Sequence, residues 1–257
     1  MQNKPPLLIA NWKMNLTLKN GVKFFDDLKK KYARQKKVKI ILCPSFLHLP
    51  LIKPVKSSFL NLGAQNCFYE EKGAFTGETS PLALKELGIQ YVIIGHSERK
   101  MILNENIEMI NKKVKTIFKN KMCAILCIGE TLKERKNSET IKSIYDQLEK
   151  SLKGINLTSR NTHQLLIAYE PIWSIGTGTT PKPEEIQNMG YIIRRFFEET
   201  YNPRTAQGID ILYGGSADSS NLKKFIANKN INGFLLGGAS IEMKEMIKII
   251  EILSNFK

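Results

Sequence analysis

Cysteine is scarce in this sequence, and the placement of the few present excludes a disulfide framework. The 257 residues include four cysteines, whereas disulfide scaffolds are short chains dense in cysteine. Cys123 and Cys127 share an apolar run that predicts a strand, in which four residues span about 13 Å, too far for a disulfide bond or a shared metal ion. No HExxH, paired CxxC, EF-hand or Walker pattern occurs either. We therefore expect reduced cysteines and no metal ion or nucleotide cofactor.

Long apolar segments are also missing. The N-terminus leads into only four apolar residues, Leu7 to Ala10, which is too short for the core of a signal peptide or for a membrane span. No run elsewhere in the sequence is long enough to cross a bilayer. The sequence therefore predicts a soluble, cytoplasmic protein that does not bind a membrane.

Acidic residues are few relative to basic ones. Lys and Arg number 39 against 24 Asp and Glu, which gives a net charge of +15. Such a charge is compatible with binding nucleic acid, an anionic membrane surface or a small anionic substrate. The densest basic run, Lys29 to Lys37, ends a predicted helix, where cations interact favourably with the helix dipole. Because the other lysines are spread over many helix surfaces, we predict no nucleic-acid partner.

Eight short apolar runs recur along the chain and alternate with segments of helical periodicity. The runs are mostly apolar rather than alternating, as expected for parallel strands covered by helices. Eight strand–helix units in about 250 residues fit one closed (β/α)8 barrel, and no GxGxxG motif follows the first strand to favour an open doubly wound sheet. We find no linker or break in composition, so we predict a single α/β barrel domain over residues 1–257. The predicted strands are Leu7–Ala10, Val38–Leu42, Leu60–Ala64, Tyr91–Ile94, Cys123–Ile128, Leu165–Tyr169, Ile209–Tyr213 and Gly233–Leu236.

Reactive side chains follow three of the predicted strands. Lys13 comes after the first strand, His96 after the fourth and Glu170 after the sixth. Since loops at the carboxyl ends of the strands build barrel active sites, we expect these side chains to point into one mouth. A carboxylate suits proton abstraction, an imidazole can hydrogen-bond a carbonyl oxygen, and a lysine stabilises developing negative charge. We expect Glu98 to form a salt bridge with Lys13 rather than to act on a substrate.

Glycines follow the seventh and eighth strands. Gly214-Gly215-Ser216 and Gly237-Gly238 are each predicted to open a helix. Backbone N–H groups at a helix start bind anions, and glycine allows a phosphate to approach the main chain closely. Because the loops after strands seven and eight form the usual phosphate site of such barrels, the sequence predicts a phosphate site here.

The motifs at these positions resemble those of the triosephosphate isomerase family. The resemblance runs along the whole chain, and the motifs occur in the order of that family. They are ANWKMN (Ala10–Asn15), GAFTGETSP (Gly73–Pro81), IIGHSERK (Ile93–Lys100), CIGE (Cys127–Glu130), AYEPIWSIGTG (Ala168–Gly178), YGGS (Tyr213–Ser216) and LLGGAS (Leu235–Ser240).

The resemblance implies interconversion of dihydroxyacetone phosphate and D-glyceraldehyde 3-phosphate through an enediolate, in glycolysis and gluconeogenesis. In this reading Glu170 moves the proton and neutral His96, at the positive end of a predicted helix, acts on the carbonyl oxygens. Asn11 and Lys13 hold and polarise the substrate. The backbone N–H groups expected to bind its phosphate belong to Gly176, Ser216, Gly237 and Gly238.

The resemblance also implies a lid and a homodimer. Trp173 and Ile175 lie in a loop that would close over the substrate and exclude water. Gly73–Glu78 resembles the loop that family members insert into a partner subunit near Lys13. Lys100 stands where arginine is frequent in the family, Thr179-Thr180-Pro181 replaces a usual lysine-containing hinge, and Ala217 stands where valine is common.

Two other functions compete with this interpretation. Another phosphosugar barrel, such as a different isomerase or an indole-forming lyase, would share the glycine-rich ends without needing Lys13, His96 and Glu170 together. A basic nucleic-acid-binding module would need clustered cations and aromatic residues on one face.

Overall fold

In the residues that the computed structural model describes, 4–52, 59–174, 180–227 and 230–256, eight parallel strands close into a barrel in chain order. Strand β1 pairs with β2 through Leu7 opposite Lys39, and with β8 through Leu7 opposite Gly233, which closes the ring. The α/β barrel predicted from the sequence is therefore confirmed. The strands are β1 Leu7–Asn11, β2 Lys39–Cys43, β3 Leu60–Ala64, β4 Tyr91–Ile94, β5 Cys123–Ile128, β6 Leu165–Tyr169, β7 Asp210–Tyr213 and β8 Gly233–Leu236.

Helices surround the strands, and their first residues are set by local caps. The first long helix begins after Thr17, whose Oγ1 accepts a hydrogen bond from Asn20 N at 3.3 Å. The longest described helix begins at Pro183. Proline has no backbone N–H, but the first N–H groups of a helix have no acceptor within it, so no helical hydrogen bond is lost. The described helices are α1 Leu18–Tyr32, α2 Pro81–Glu86, α3 Ser97–Ile102, α4 Ile107–Lys119, α5 Leu132–Lys136, α6 Thr140–Leu152, α7 Pro183–Thr200, α8 Pro203–Gly208, α9 Leu222–Ile226 and α10 Met243–Asn255.

Two apolar layers bury both faces of the strands. On β1, Leu8 and Ala10 pack in the layer between the strands and the helices, whereas Leu7 and Ile9 belong to the smaller layer inside the barrel. A strand buried on both faces gains from apolar residues at every position. This explains why the strands read as continuous apolar runs in the sequence. Among the described residues, no helix combines the length and the apolar character needed to cross a bilayer.

Candidate active site

A cavity of about 500 Å³ opens at the carboxyl ends of the strands. Residues that follow β1, β4, β6, β7 and β8 line it, so loops far apart in the sequence meet at one end of the barrel. Gly176 lies outside the described residues. The other residues that the sequence indicated all line the cavity: Asn11, Lys13, His96, Glu170, Ser216, Gly237 and Gly238.

Lys13 is held at the end of β1 by its own backbone. Its φ angle is +53°, a left-handed conformation that few non-glycine residues adopt. Its N–H donates to Asn11 Oδ1 at 3.2 Å, and its carbonyl oxygen accepts from Gln65 Nε2 at 2.9 Å. The ammonium group forms an ion pair with Glu98, which confirms the salt bridge predicted from the sequence.

His96 caps the N-terminus of α3 with its own side chain. Its Nδ1 accepts a hydrogen bond from the backbone N–H of Glu98 at 3.2 Å. A ring nitrogen that accepts carries no proton, so this bond favours a neutral imidazole protonated on Nε2. Nε2 lies 3.2 Å from Glu170 Oε1. The imidazole and the carboxylate therefore stand next to each other in the cavity.

Glu170 directly follows β6 and is 1% exposed. Its Oε2 accepts from the backbone N–H of Ser97 at 3.0 Å, at the positive end of α3. Its Oε1 faces His96 Nε2, so each carboxylate oxygen has a polar neighbour. Lys13, His96 and Glu170, from three different strands, therefore line the same cavity, as the sequence predicted.

The glycine-rich ends of β7 and β8 differ from each other. A 3-10 turn over Gly238–Ser240 follows β8, and the N–H groups at its start have no intrahelical acceptor. The prediction of a helix directly after Ser216 is wrong. There, Asp218 Oδ1 accepts from the N–H of Ser220 at 2.9 Å, an Asx turn that delays α9 until Leu222.

Gly237 brings the β8 end next to the lysine. A Cβ atom at this position would lie 3.1 Å from Lys13 Cε and 3.5 Å from its Nζ. The glycine thus leaves room for the lysine side chain beside the main chain. A positive charge stands next to backbone N–H groups, an arrangement that suits an anionic ligand.

A buried carboxylate, Glu130, anchors the segment after β6. It accepts hydrogen bonds from Trp173 Nε1 at 2.7 Å and from Tyr169 Oη at 3.1 Å. Burial raises the pKa of the Glu130 carboxyl, and these hydrogen bonds oppose the rise. The guanidinium group of Arg135 lies over the Trp173 ring, with its Cζ 4.1 Å from the ring centroid. The sequence placed Glu130 at a strand end but indicated no partner, because the bonds span about forty residues.

The cysteines are free and buried in the described residues. Cys127 lies inside the barrel beneath the site. Burial, and then the negative charge of Glu170, hold the pKa of its thiol well above the usual range. The thiol is neutral and buried, so it does not serve as a nucleophile.

Comparison with known proteins agrees with the geometry. A family model described as "Triosephosphate isomerase" matches residues 6–253. The triosephosphate isomerase of Lactobacillus delbrueckii subsp. bulgaricus is 43% identical over 240 residues, which cover 93% of this chain and 94% of the relative. That of Lactobacillus helveticus (strain DPC 4571) is 39% identical over 249 residues, covering 96% and 98%. The chain therefore belongs to the triosephosphate isomerase family.

Proposed function

We propose that Glu170, His96, Lys13 and Asn11 carry the interconversion of dihydroxyacetone phosphate and D-glyceraldehyde 3-phosphate, the reaction of the family to which this chain belongs. The observation that supports these roles best is the meeting of Glu170 Oε1 and His96 Nε2, 3.2 Å apart, in the cavity at the carboxyl ends of the strands. A carboxylate beside a hydrogen-bond donor is the pair that proton transfer next to a carbonyl group needs.

In the proposed reaction Glu170 takes a proton from C1 of dihydroxyacetone phosphate, and negative charge develops on the oxygen of C2. His96 donates its Nε2 proton to that oxygen, since Nδ1 is occupied by the Glu98 N–H. The imidazole recovers a proton from the hydroxyl group on C1, and Glu170 returns its proton to C2, which gives the aldehyde. Lys13 and Asn11 stabilise the negative charge of the enediolate.

The phosphate group is proposed to bind the backbone N–H groups of Ser216, Gly237 and Gly238. This assignment is supported by the turn at Gly238–Ser240 and by the position of Gly237 beside the Lys13 side chain. Gly176 is proposed as a fourth donor on the sequence resemblance alone. A cavity of about 500 Å³ is in the size range of small-molecule sites.

The assignment of His96 is tested with a matched histidine. We expect His96→Asn to lower kcat in a coupled assay by about a hundredfold or more, because asparagine cannot exchange protons with the substrate oxygens. His163→Asn, at an exposed histidine before β6, should leave kcat unchanged. A metal chelator should not change the wild-type rate. Equal rates for the two variants would contradict the proposed role of His96.

We also propose that the protein forms a homodimer. Exposed apolar side chains follow the first four strands, namely Met14, Leu47, Phe75 and Ile102. Because β1 to β4 are neighbours in the barrel, these side chains gather on one side of the molecule. An exposed apolar surface of this kind is typical of a protein interface. Phe75 lies in Gly73–Glu78, the segment that the sequence indicated as the partner-contacting loop.

A single domain over residues 1–257 and a cytoplasmic location complete the proposal. The pairing of β1 with β8 supports one domain, since the first and last described strands are neighbours in the barrel. Four cysteines without a disulfide bond support a reducing compartment.

A further inference from the structure

The backbone of Glu170 packs directly against the end of β5. Its N–H donates to Ile128 O at 2.7 Å. A Cβ atom added at Gly129 would lie 1.7 Å from the carbonyl oxygen of Glu170, so only glycine permits this approach. The position of the carboxylate therefore depends on where the Gly129 peptide is held.

One side chain, Gln147, holds both polar atoms of the Gly129 backbone. From the half-buried face of α6, its Nε2 donates to Gly129 O at 2.9 Å, and its Oε1 accepts from Gly129 N at 3.2 Å. Nε2 also donates to Ser143 Oγ at 3.0 Å, and Oε1 accepts from Lys100 Nζ at 3.3 Å. These four partners fix the orientation of the amide. If the amide were flipped, its NH2 group would face the N–H of Gly129 and the ammonium group of Lys100, which are both donors.

Lys100 connects this amide to the helix that carries the catalytic histidine. It lies one turn after His96 in α3, and its backbone N–H donates to His96 O at 3.1 Å. Its ammonium group donates to Gln147 Oε1 and to Cys127 O, at 3.3 and 3.4 Å. The same helix supplies the Ser97 N–H that holds Glu170 Oε2. Gln147 and Lys100 thus connect the two elements that place the His96–Glu170 pair.

We propose that Gln147 is a positioning residue for Glu170 and that Lys100 supports it, an inference that rests on the proposed role of Glu170 as base. Gln147 is not among the described residues that line the cavity, and its connection to Glu170 runs through Gly129. Its loss releases the Gly129 peptide and displaces the carboxylate from the substrate carbon. Among the described residues, the hydrogen bonds of Gln147 and Lys100 reach none of Ser216, Gly237 and Gly238, so we expect substrate binding to be preserved.

The test compares two glutamines. Gln147→Met keeps the length of the side chain and removes its hydrogen bonds. Because small displacements of a reacting group slow a reaction strongly, we expect kcat to fall about ten- to a hundredfold. KM should change by no more than roughly twofold. Gln164→Met is the matched control, since Gln164 is also half-buried and donates to two backbone carbonyls, of Phe118 and Met122, but at the opposite end of the barrel. Gln164→Met should lower the thermal stability about as much as Gln147→Met does, but it should leave kcat unchanged.

Two further variants keep the proposal testable if Gln147→Met does not fold. Lys100→Arg retains a donor and should keep kcat, whereas Lys100→Met should lower kcat without raising KM. Where Gln147→Met folds, the same substitution in a Glu170→Asp background should lower kcat by a smaller factor than in the wild type, because the carboxylate is already displaced.

The outcomes separate this inference from the proposed function. If Glu170→Asp is slow but Gln147→Met has a normal kcat, the positioning role of Gln147 is overturned and the assignment of Glu170 as base stays intact. Equal losses of kcat in Gln147→Met and Gln164→Met also overturn it, because they show a general effect of stability. A normal kcat in Glu170→Asp overturns the base assignment itself.

Discussion

At the scale of the residue, the two carboxylates of the site have separate partners. Glu98 pairs with the ammonium group of Lys13, whereas buried Glu170 has the Ser97 N–H and His96 Nε2 as its neighbours. A buried carboxylate is stable when its oxygens are hydrogen-bonded. Among the described residues, the ammonium group of Lys13 therefore pairs with Glu98 and not with Glu170.

Shortening Glu170, the proposed base, tests whether the position of the carboxylate or its charge matters. Glu170→Asp retains the carboxylate but withdraws it by one methylene group, so that it cannot reach the substrate carbon from the same backbone position. We expect kcat to fall by about a hundredfold or more. KM should change little, because the groups proposed to bind phosphate are untouched. Initial rates in both directions measure the two constants, and near-normal turnover would refute the role of Glu170 as the base.

At the scale of the element, a buried ion cluster joins the helices behind the site. Lys113 of α4, 1% exposed, donates to Glu105 Oε2 at 2.9 Å and to Asn66 Oδ1 at 2.8 Å. Arg99 of α3 also donates to Glu105. Burial by itself raises the pKa of the Glu105 carboxyl, but Lys113 and Arg99 outweigh it, and the pKa is lowered. The cluster therefore fixes α3, the helix that His96 caps, against α4.

The lowered pKa of Glu105 makes a prediction about pH. A carboxyl group whose pKa is lower in the folded than in the unfolded protein stabilises the fold above the unfolded pKa, and this contribution is lost as the pH falls through the folded pKa. Glu105→Gln leaves Lys113 as a buried charge, so we expect the free energy of unfolding at pH 7 to fall by about 3 kcal/mol.

The deficit should shrink as the pH falls from the ordinary glutamate value of 4.5 toward the lower pKa of folded Glu105, because the unfolded wild type takes up a proton in this range before the folded protein does. Chemical denaturation of the wild type and of Glu105→Gln at several pH values measures this difference in the free energy of unfolding. Glu199→Gln is the control, since Glu199 forms an exposed pair with Arg195 within one helix and such pairs contribute little. A deficit that is independent of pH would contradict the electrostatic account.

At the scale of the whole molecule, the sequence predicted the barrel because its strands are buried on both faces. Continuous apolar runs such as Cys123–Ile128 give this signal directly, and that strand has the predicted bounds. Helix ends were less predictable, since local features set them: α1 begins at Leu18 after the Thr17 cap, and α7 begins at Pro183 after Lys182. Lys13, His96 and Glu170 could be predicted because strand ends meet at one rim. Gln147 could not, because its bond to Gly129 joins a helix to a strand end and leaves no periodic pattern.

The apolar surface beside the first four strands predicts how the whole molecule assembles. Sedimentation of the wild type should give twice the chain mass of 29.3 kDa. Ile102, 69% exposed at the end of α3, belongs to this surface, and burying such a side chain stabilises an interface by about 1.5–3 kcal/mol. Ile102→Lys should therefore raise the dissociation constant at least about tenfold. Ile141→Lys is the control, because Ile141 is similarly exposed on α6, away from the first four strands. A monomeric wild type, or equal effects of the two variants, would contradict an interface at this surface.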